Sequence, residues 1–185
     1  MPTLTINGVE VTVPAGTNVL QAAEQAGFEV PYFCYHPGLS APANCRMCLV
    51  EIEGARKLEP SCYTKVRDGM VVKTESDMVV SARRSVLEFI LVNHPIDCPI
   101  CDQAGECWLQ DNYLKYDAQP SRVRTEKVSK TKVYPIGPEV VYDGERCILC
   151  TRCVRFCEEV AGTAELIIFK QADTTEIRAF PGMKL

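Results

Sequence analysis

The stretch TLTINGVEVTV, residues 3–13, alternates apolar and polar side chains on both sides of Asn7-Gly8. Asn-Gly tolerates positive φ at both central positions of a type I′ turn, so the stretch predicts a β-hairpin. TNVLQAAEQAG then predicts a short helix, with Thr17 as its N-cap and Gly27 just beyond its end. CLVEIEG and MVVKTE predict further strands. A hairpin, a helix and returning strands in this order indicate a β-grasp domain.

The remainder of the chain predicts helices and one small hairpin. DMVVSARRSVLEFILVNH has apolar residues at helical spacing, and GECWLQDNYLKY resumes a helical pattern. Arg83 and Arg84 are interpreted as part of the solvated face of the first of these helices. A polar, proline-containing connector with room for one short strand follows. ERCILCTRCVRFCEEVAG predicts a metal-binding loop that leads into a helix, and LIIFK and TEIRAF predict two paired strands.

Composition narrows the possible functions. The net charge of −4 over 185 residues gives no indication of a nucleic-acid partner. No apolar run approaches the ~20 residues that span a bilayer, and the first residues do not form a secretory signal. We therefore expect a reducing compartment, where the eleven cysteines are more typical of metal ligands than of disulfides. The glycines form neither a GxGxxG motif nor a P-loop, so we expect no nucleotide or flavin site.

The first group of cysteines, here called the first ligand set, consists of Cys34, Cys45, Cys48 and Cys62. One close pair with two outlying cysteines resembles the loop of plant-type [2Fe–2S] proteins. A zinc site with four cysteine ligands is the alternative, although zinc ribbons usually contain two CxxC pairs.

The second ligand set consists of His94, Cys98, Cys101 and Cys107. Three cysteines and one histidine are also a common zinc-site composition, so the residues alone leave zinc and iron open. In a [4Fe–4S] centre an imidazole ligand would remove one negative charge and raise the reduction potential. The other histidine, His36, is interpreted as structural or solvated.

The third ligand set, Cys147, Cys150 and Cys153, has the CxxCxxC spacing of bacterial ferredoxins and can hold three corners of one [4Fe–4S] cluster. Cys157 follows at the spacing of the fourth ferredoxin cysteine, but Glu158 stands where ferredoxins have proline. Cys157 is therefore either a substitute ligand or, as we favour, a small buried residue.

Three stretches carry a resemblance to a known family: VPYFCYHPGLSAPANCRMCLVEIEG, LVNHPIDCPICDQAGECWLQD and ERCILCTRCVRFCEEVAG. In this order and spacing, the chain resembles the N-terminal part of the large, G-type iron–sulfur subunit of NADH:quinone oxidoreductase, respiratory complex I. The resemblance covers nearly the whole chain. It implies an α+β fold with a β-grasp [2Fe–2S] domain at 1–78, a histidine-ligated [4Fe–4S] domain at 79–118, a connector at 119–143 and an incomplete [4Fe–4S] ferredoxin-like segment at 144–185.

The resemblance also implies the cofactors. A [2Fe–2S] cluster would be held by the first ligand set, a [4Fe–4S] cluster by the second set with His94 as a true ligand, and another [4Fe–4S] cluster by the third. In the family the fourth ligand of the last cluster comes further on than Leu185, and a large molybdopterin-oxidoreductase-like domain follows. We therefore expect a fragment or a shortened form. Ala43 stands where family members often have glycine.

The implied function is electron relay, as a subunit of an enzyme, from a flavin-containing partner that oxidises NADH toward quinone. The expected partners are that subunit and other iron–sulfur subunits of the peripheral arm, on the cytoplasmic side of the bacterial inner membrane. One alternative is a diaphorase-type subunit of an NAD-linked hydrogenase or a formate dehydrogenase. An alternative from another class is a multi-zinc interaction module without a redox role.

Overall fold

The computed structural model describes residues 1–116, 120–170, 172–183 and 185, which form two compact units. The first unit holds the first ligand set and consists of Met1–Tyr35, Ala41–Leu87 and residues 111–116. The second unit holds the other two sets and consists of His36–Ser40, Glu88–Gln110 and the described residues from 120 onward. The predicted boundary between residues 118 and 119 lies outside the described residues, and the remaining domain boundaries stay predictions.

The first unit is a five-stranded sheet with one helix of its own between its second and third strands. Its strands are β1 (Thr3–Ile6), β2 (Val9–Thr12), β3 (Leu49–Ile52), β4 (Glu59–Pro60) and β5 (Met70–Lys73). They lie in the order β2-β1-β5-β3-β4, and only the β1–β5 pair is parallel. Helix α1 (Val19–Gln25) buries its apolar side chains in the same core as the sheet. This confirms the predicted α+β fold with a β-grasp domain.

The turn and the first helix show how local sequence sets this unit. Asn7 and Gly8 both have positive φ, +48° and +87°, as a type I′ turn requires. Helix α1 is capped by Asn18, so the prediction that Thr17 caps it was wrong by one residue. The Asn18 Oδ1 accepts from the Gln21 N–H at 2.8 Å, and the Gln21 Oε1 accepts from the Asn18 N–H at 3.2 Å. This reciprocal capping box stabilises the first turn.

Helix α2 (Asp77–Leu91) corrects another sequence interpretation. Its buried residues are Val79, Arg83 and Leu87, which follow one another at intervals of four and therefore share one face. Arg83 is fully buried, so its assignment to the solvated face was wrong. It is retained there because its guanidinium donates to Glu75, Tyr116 and the Leu49 carbonyl.

The second unit is built from short elements around a small core. Helix α3 (Trp108–Tyr116) begins in this unit, and a hairpin of β6 (Val133–Pro135) and β7 (Val141–Asp143) occupies the connector, where one strand had been predicted. Helix α4 (Arg152–Phe156) continues into a π-helical turn, Cys157–Ala161. The predicted hairpin is present as β8 (Leu166–Phe169) and β9 (Glu176–Ala179). The core of the second unit contains Ile136, Cys157, Leu166 and Ile177.

Candidate metal centres

The first ligand set lies where the sheet meets the loop that follows Val30. Cys48 immediately precedes β3 and Cys62 follows β4 after one residue. Because Leu49 pairs with Pro60 in the antiparallel ladder, these two cysteines come to the same end of the strand pair. Ser61 fixes this end by donating its N–H and its hydroxyl to the Cys48 carbonyl at 3.0 and 2.8 Å.

The four sulfur atoms of the first ligand set are gathered together. The Cys34 thiol is hydrogen-bonded to those of Cys45 and Cys62, and the Cys48 thiol to that of Cys62. These hydrogen bonds hold the pKa of Cys34 well below that of an ordinary thiol and lower the pKa of Cys48 to about 7. The same contacts raise the pKa of Cys45 and of Cys62, because four thiolates cannot be this close without compensation. Iron would supply that compensation in place of protons.

Backbone N–H groups surround the same sulfur atoms. The Cys34 N–H points at Cys45 Sγ from 3.5 Å, while the amides of Asn44 and Cys45 donate to the Cys34 sulfur. The Met47 amide donates to Cys45. Ala43 and Arg46 have left-handed φ values of +53° and +60°, a conformation that occurs in loops whose backbone amides bind anions. Amide donors of this kind stabilise anionic iron–sulfur clusters, so the donor set and its surroundings fit a [2Fe–2S] centre.

The second ligand set lies between α2 and α3. Cys98 opens a single 3₁₀ turn, Cys98–Ile100, which is closed by the Cys101 N–H bonding to the Cys98 carbonyl at 3.1 Å. Cys107 immediately precedes α3, and all three thiols are half-buried. The end of α2 is capped by Lys127, whose Nζ donates to the carbonyls of residues 91 and 92 at 2.6 and 3.1 Å. The loop is therefore anchored at its start and its end.

His94 carries an unsatisfied buried atom. Its Nδ1 is inaccessible to solvent and has no hydrogen-bond partner among the described residues. Burial is the main cause that lowers the pKa of His94, and it thereby favours the neutral form of the imidazole. A neutral imidazole with an open nitrogen is the form that binds a metal, and a buried nitrogen left without a partner is costly. This observation fits a metal ligand better than a structural histidine. The exposed His36, by contrast, accepts a hydrogen bond from the Gly38 N–H at 3.1 Å.

The third ligand set begins in a loop of unusual backbone conformation and ends in the first turn of α4, which contains Cys153. Leu149 and Thr151 have positive φ, +55° and +61°, and the Leu149 N–H points at Cys147 Sγ from 3.4 Å. Cys153 is exposed as a residue, but partial removal of its thiol from water, followed by the charges of Cys147 and Cys150, raises the pKa of Cys153. The three thiols thus interact electrostatically, and an amide donor lies beside Cys147, a donor set that fits three corners of a [4Fe–4S] cluster.

Two further side chains of this region matter to the site. Tyr142, to which no sequence motif points, is hydrogen-bonded to the Cys147 sulfur, and its oxygen accepts the Ile177 N–H at 3.2 Å. Burial, followed by the Cys147 contact, raises the pKa of Tyr142. Cys157 is 3% exposed and packs with Leu166 in the core of the second unit. That placement favours the interpretation of Cys157 as a small buried residue.

The described residues lack two other kinds of feature. No group of three or more His, Cys, Asp or Glu side chains among them has the arrangement that a single metal ion needs. Within the same part of the chain, no helix combines the length and the apolar character that crossing a bilayer requires.

Three family models match successive parts of the chain. A 2Fe-2S iron-sulfur cluster binding domain matches residues 1–77, and an NADH-ubiquinone oxidoreductase-G iron-sulfur binding region matches residues 83–122. The ferredoxin-like domain of NADH-quinone oxidoreductase subunit 3 matches residues 137–185. The first ligand set falls within the first match, the second set within the second, and the third set within the third.

Curated relatives agree with these matches, and all three described here are G-type subunits of NADH-quinone oxidoreductase. The chain is 46% identical over 180 residues to one such subunit of Rhizobium meliloti, which covers 97% of the chain and 21% of the relative. It is 49% identical over 162 residues to that of Streptomyces coelicolor, covering 86% of the chain and 19% of that protein. The Rickettsia bellii relative is 46% identical over 96% of the chain and 26% of its own length. The chain thus spans between 19% and 26% of these relatives.

A solved structure has the same fold. The match is a chain of an NAD⁺-reducing [NiFe]-hydrogenase in its H₂-reduced state, with a TM-score of 0.86 and 28% sequence identity. It covers 96% of this chain and 74% of the hydrogenase chain.

Proposed function

We propose that this chain relays electrons between a flavin-containing partner and quinone. In this proposal it is the N-terminal iron–sulfur region of the G-type subunit of NADH-quinone oxidoreductase. Its role as an electron-transfer subunit of an oxidoreductase is supported by the relatives and the family models. The observation that carries the proposal is the set of three cysteine-rich sites, each within a matching iron–sulfur model. These models favour iron over the zinc alternative.

The proposed ligands are the eleven residues of the three ligand sets. The first set would hold one [2Fe–2S] cluster and the second one [4Fe–4S] cluster, with His94 as its only nitrogen ligand. The third set would hold three corners of a second [4Fe–4S] cluster, with the fourth ligand outside this sequence. When bound, such clusters exchange single electrons without forming or breaking bonds in the protein.

The protein itself would position the clusters and set their electrostatic surroundings. The amides around Cys34 and Cys45 stabilise negative charge on sulfur, and so does the Leu149 N–H beside Cys147. Burial of Cys34, Cys48 and Cys62, at 0–1% exposure, keeps water from the first site. A buried, amide-lined site changes little on reduction, which lowers the reorganisation that electron transfer requires.

We also propose the assembly in which the chain works. Its partners would be the flavin subunit that oxidises NADH and further iron–sulfur subunits, peripherally attached on the cytoplasmic side of the bacterial inner membrane. The hydrogenase match favours a second candidate, a diaphorase-type subunit of an NAD-linked hydrogenase. Higher identity to the NADH-quinone oxidoreductase relatives, 46–49% against 28%, favours the quinone reductase. Co-purification with membrane subunits or with a nickel–iron subunit distinguishes the two.

The test is electron paramagnetic resonance of the anaerobically reduced protein, with iron and acid-labile sulfide analysis. We expect a brown protein with one [2Fe–2S] signal and [4Fe–4S] signals. Replacement of His94 by Ala should alter one [4Fe–4S] signal and leave the [2Fe–2S] signal unchanged. The matched control is His36→Ala, which removes the chain's other histidine and should change no signal. A colourless protein that contains zinc would contradict the proposal.

A further inference from the structure

Arg146 connects the second and third ligand sets. It immediately precedes Cys147, and its Nη2 donates to Asp97 Oδ2 at 2.8 Å and to the Ile100 carbonyl at 3.3 Å. Asp97 immediately precedes Cys98, and Ile100 immediately precedes Cys101. One side chain that starts beside the third ligand set is therefore bonded to the second ligand set's loop at two points.

The pairing of Arg146 with Asp97 is partly shielded from water and is held on both sides. The two side chains are 22% and 21% exposed. Lys132 Nζ also reaches Asp97 Oδ2, at 3.4 Å, and Glu145 Oε2 at 2.9 Å. The backbone N–H groups of Glu145 and Arg146 both donate to Asp143 Oδ1, at 3.0 and 3.3 Å. The turn before Cys147 is thereby fixed, so the guanidinium has little freedom to leave its position.

The charge of Arg146 acts on the second ligand set directly. Its hydrogen bond to Asp97 and the nearby Cys101 sulfur are among the causes that raise the pKa of Arg146. Besides burial, four charged groups shift the pKa of His94, those of Asp97, Lys127, Arg146 and Asp143. A second cation links the helices next to these loops, since the guanidinium of Arg152, the first residue of α4, lies 5.7 Å from the ring centre of Trp108, the first residue of α3.

We propose that Arg146 is a positioning residue shared by both [4Fe–4S] sites, holding the two ligand loops together and raising the reduction potentials of both clusters. The proposal rests on the proposed function. Reduction adds negative charge to a cluster, so a fixed positive charge beside it stabilises the reduced form. A positive charge between the two sites should raise both reduction potentials. The negative charge of Asp97, which is bonded to Arg146, should lower both.

The test measures the midpoint potential of each [4Fe–4S] signal by redox titration followed by electron paramagnetic resonance, on protein purified in its native assembly. Arg146→Gln should shift both midpoints to more negative values. Asp97→Asn, which removes the opposing charge but leaves a side chain of the same size, should shift both to more positive values. Arg146→Lys keeps the positive charge and should leave both potentials near wild type.

Lys132→Gln is the matched control. It removes one positive charge from the same ion-pair group, but the Lys132 side chain is 48% exposed and contacts Asp97 and Glu145 without adjoining a cysteine. Water screens such a charge, so smaller shifts than those of Arg146→Gln are expected.

Three results would overturn the inference. They are a shift confined to one [4Fe–4S] signal, no shift in either, or shifts of the same sign in Arg146→Gln and Asp97→Asn. If Arg146→Gln fails to assemble its clusters, Asp97→Asn and Arg146→Lys still decide the matter. Failure of the relay proposal is separate, because the wild-type protein would then lack [4Fe–4S] signals altogether.

Discussion

Replacing Arg83 by Ala should lower the free energy of unfolding of the first unit by about 4 kcal/mol. Arg83 has no exposed side-chain surface and donates to the Tyr116 hydroxyl at 2.9 Å and to the Leu49 carbonyl at 3.3 Å. Two such charge-assisted bonds contribute about 1.5–3 kcal/mol each. The pair with Glu75, whose side chain is 45% exposed, adds less than about 1 kcal/mol because water screens it.

The assay is anaerobic urea denaturation followed by far-UV circular dichroism, compared with Arg56→Ala as the matched control. Arg56 is exposed, so its replacement should change the free energy of unfolding by no more than about 0.5 kcal/mol. Arg83→Lys keeps the charge but loses the forked geometry, and should cost roughly half as much as Ala. A loss below about 1 kcal/mol in Arg83→Ala would refute the argument that this network joins α2 to the sheet.

Three further predictions concern the ligand loops and the second unit. Ala43 has a φ of +53°, so Ala43→Gly should raise the free energy of unfolding by about 0.5–1 kcal/mol and with it the thermal midpoint. Ala41→Gly, at a position without positive φ, should lower the thermal midpoint. Equal effects of the two substitutions would contradict this prediction. Tyr142→Phe removes the hydrogen bond to Cys147. In a redox titration, it should make the midpoint potential of the cluster at the third ligand set more negative. An unchanged potential would show that this hydrogen bond does not influence the cluster. Glu176 is buried, which opposes its ionisation, but hydrogen bonds from Arg178 and the Thr131 N–H hold its pKa below the usual range. Its folded pKa is lowered, so its stabilisation is complete above the unfolded value of about 4.3 and is lost as the pH falls through the folded value. Glu176→Gln should therefore cost about 2 kcal/mol at pH 7 in urea denaturation and progressively less in acid, and a cost independent of pH would contradict it.

The sequence predicted those features that depend on local chemistry. The hairpin was predictable because Asn7-Gly8 favours a type I′ turn. The alternation of apolar and polar residues on either side of the turn determines which side chains enter the core. The spacing of Cys147, Cys150 and Cys153 likewise limits them to one short segment, the loop before α4 and its first turn. The connector hairpin was only partly predicted, because β6 and β7 have three residues each, too few for a clear alternation. In the folded chain the rings of Tyr134 and Tyr142 pack edge to face across it, with their centres 5.5 Å apart.

Features that depend on distant partners could not be predicted. Arg83 is surrounded in sequence by a pattern that fits either a solvated or a buried position, and only the folded chain brings Tyr116 and the Leu49 carbonyl to it. The N-cap at Asn18 could have been predicted, because the Asn18–Gln21 spacing of a capping box is visible in the sequence. Asp97 and Arg146 stand directly before the first cysteine of their runs, a position that sequence reasoning left without a role.

The contacts of Arg83 and Arg84 with Tyr116 have a consequence for how the polypeptide matures on the ribosome. Both arginines bond to this one tyrosine, the first to its hydroxyl and the second to its carbonyl at 2.7 Å. During synthesis these two hydrogen bonds cannot form until Tyr116 has left the exit tunnel. By then all the residues of the first two ligand sets, from Cys34 to Cys107, have emerged as well, so the last contacts of the first unit form after both sets are outside the tunnel.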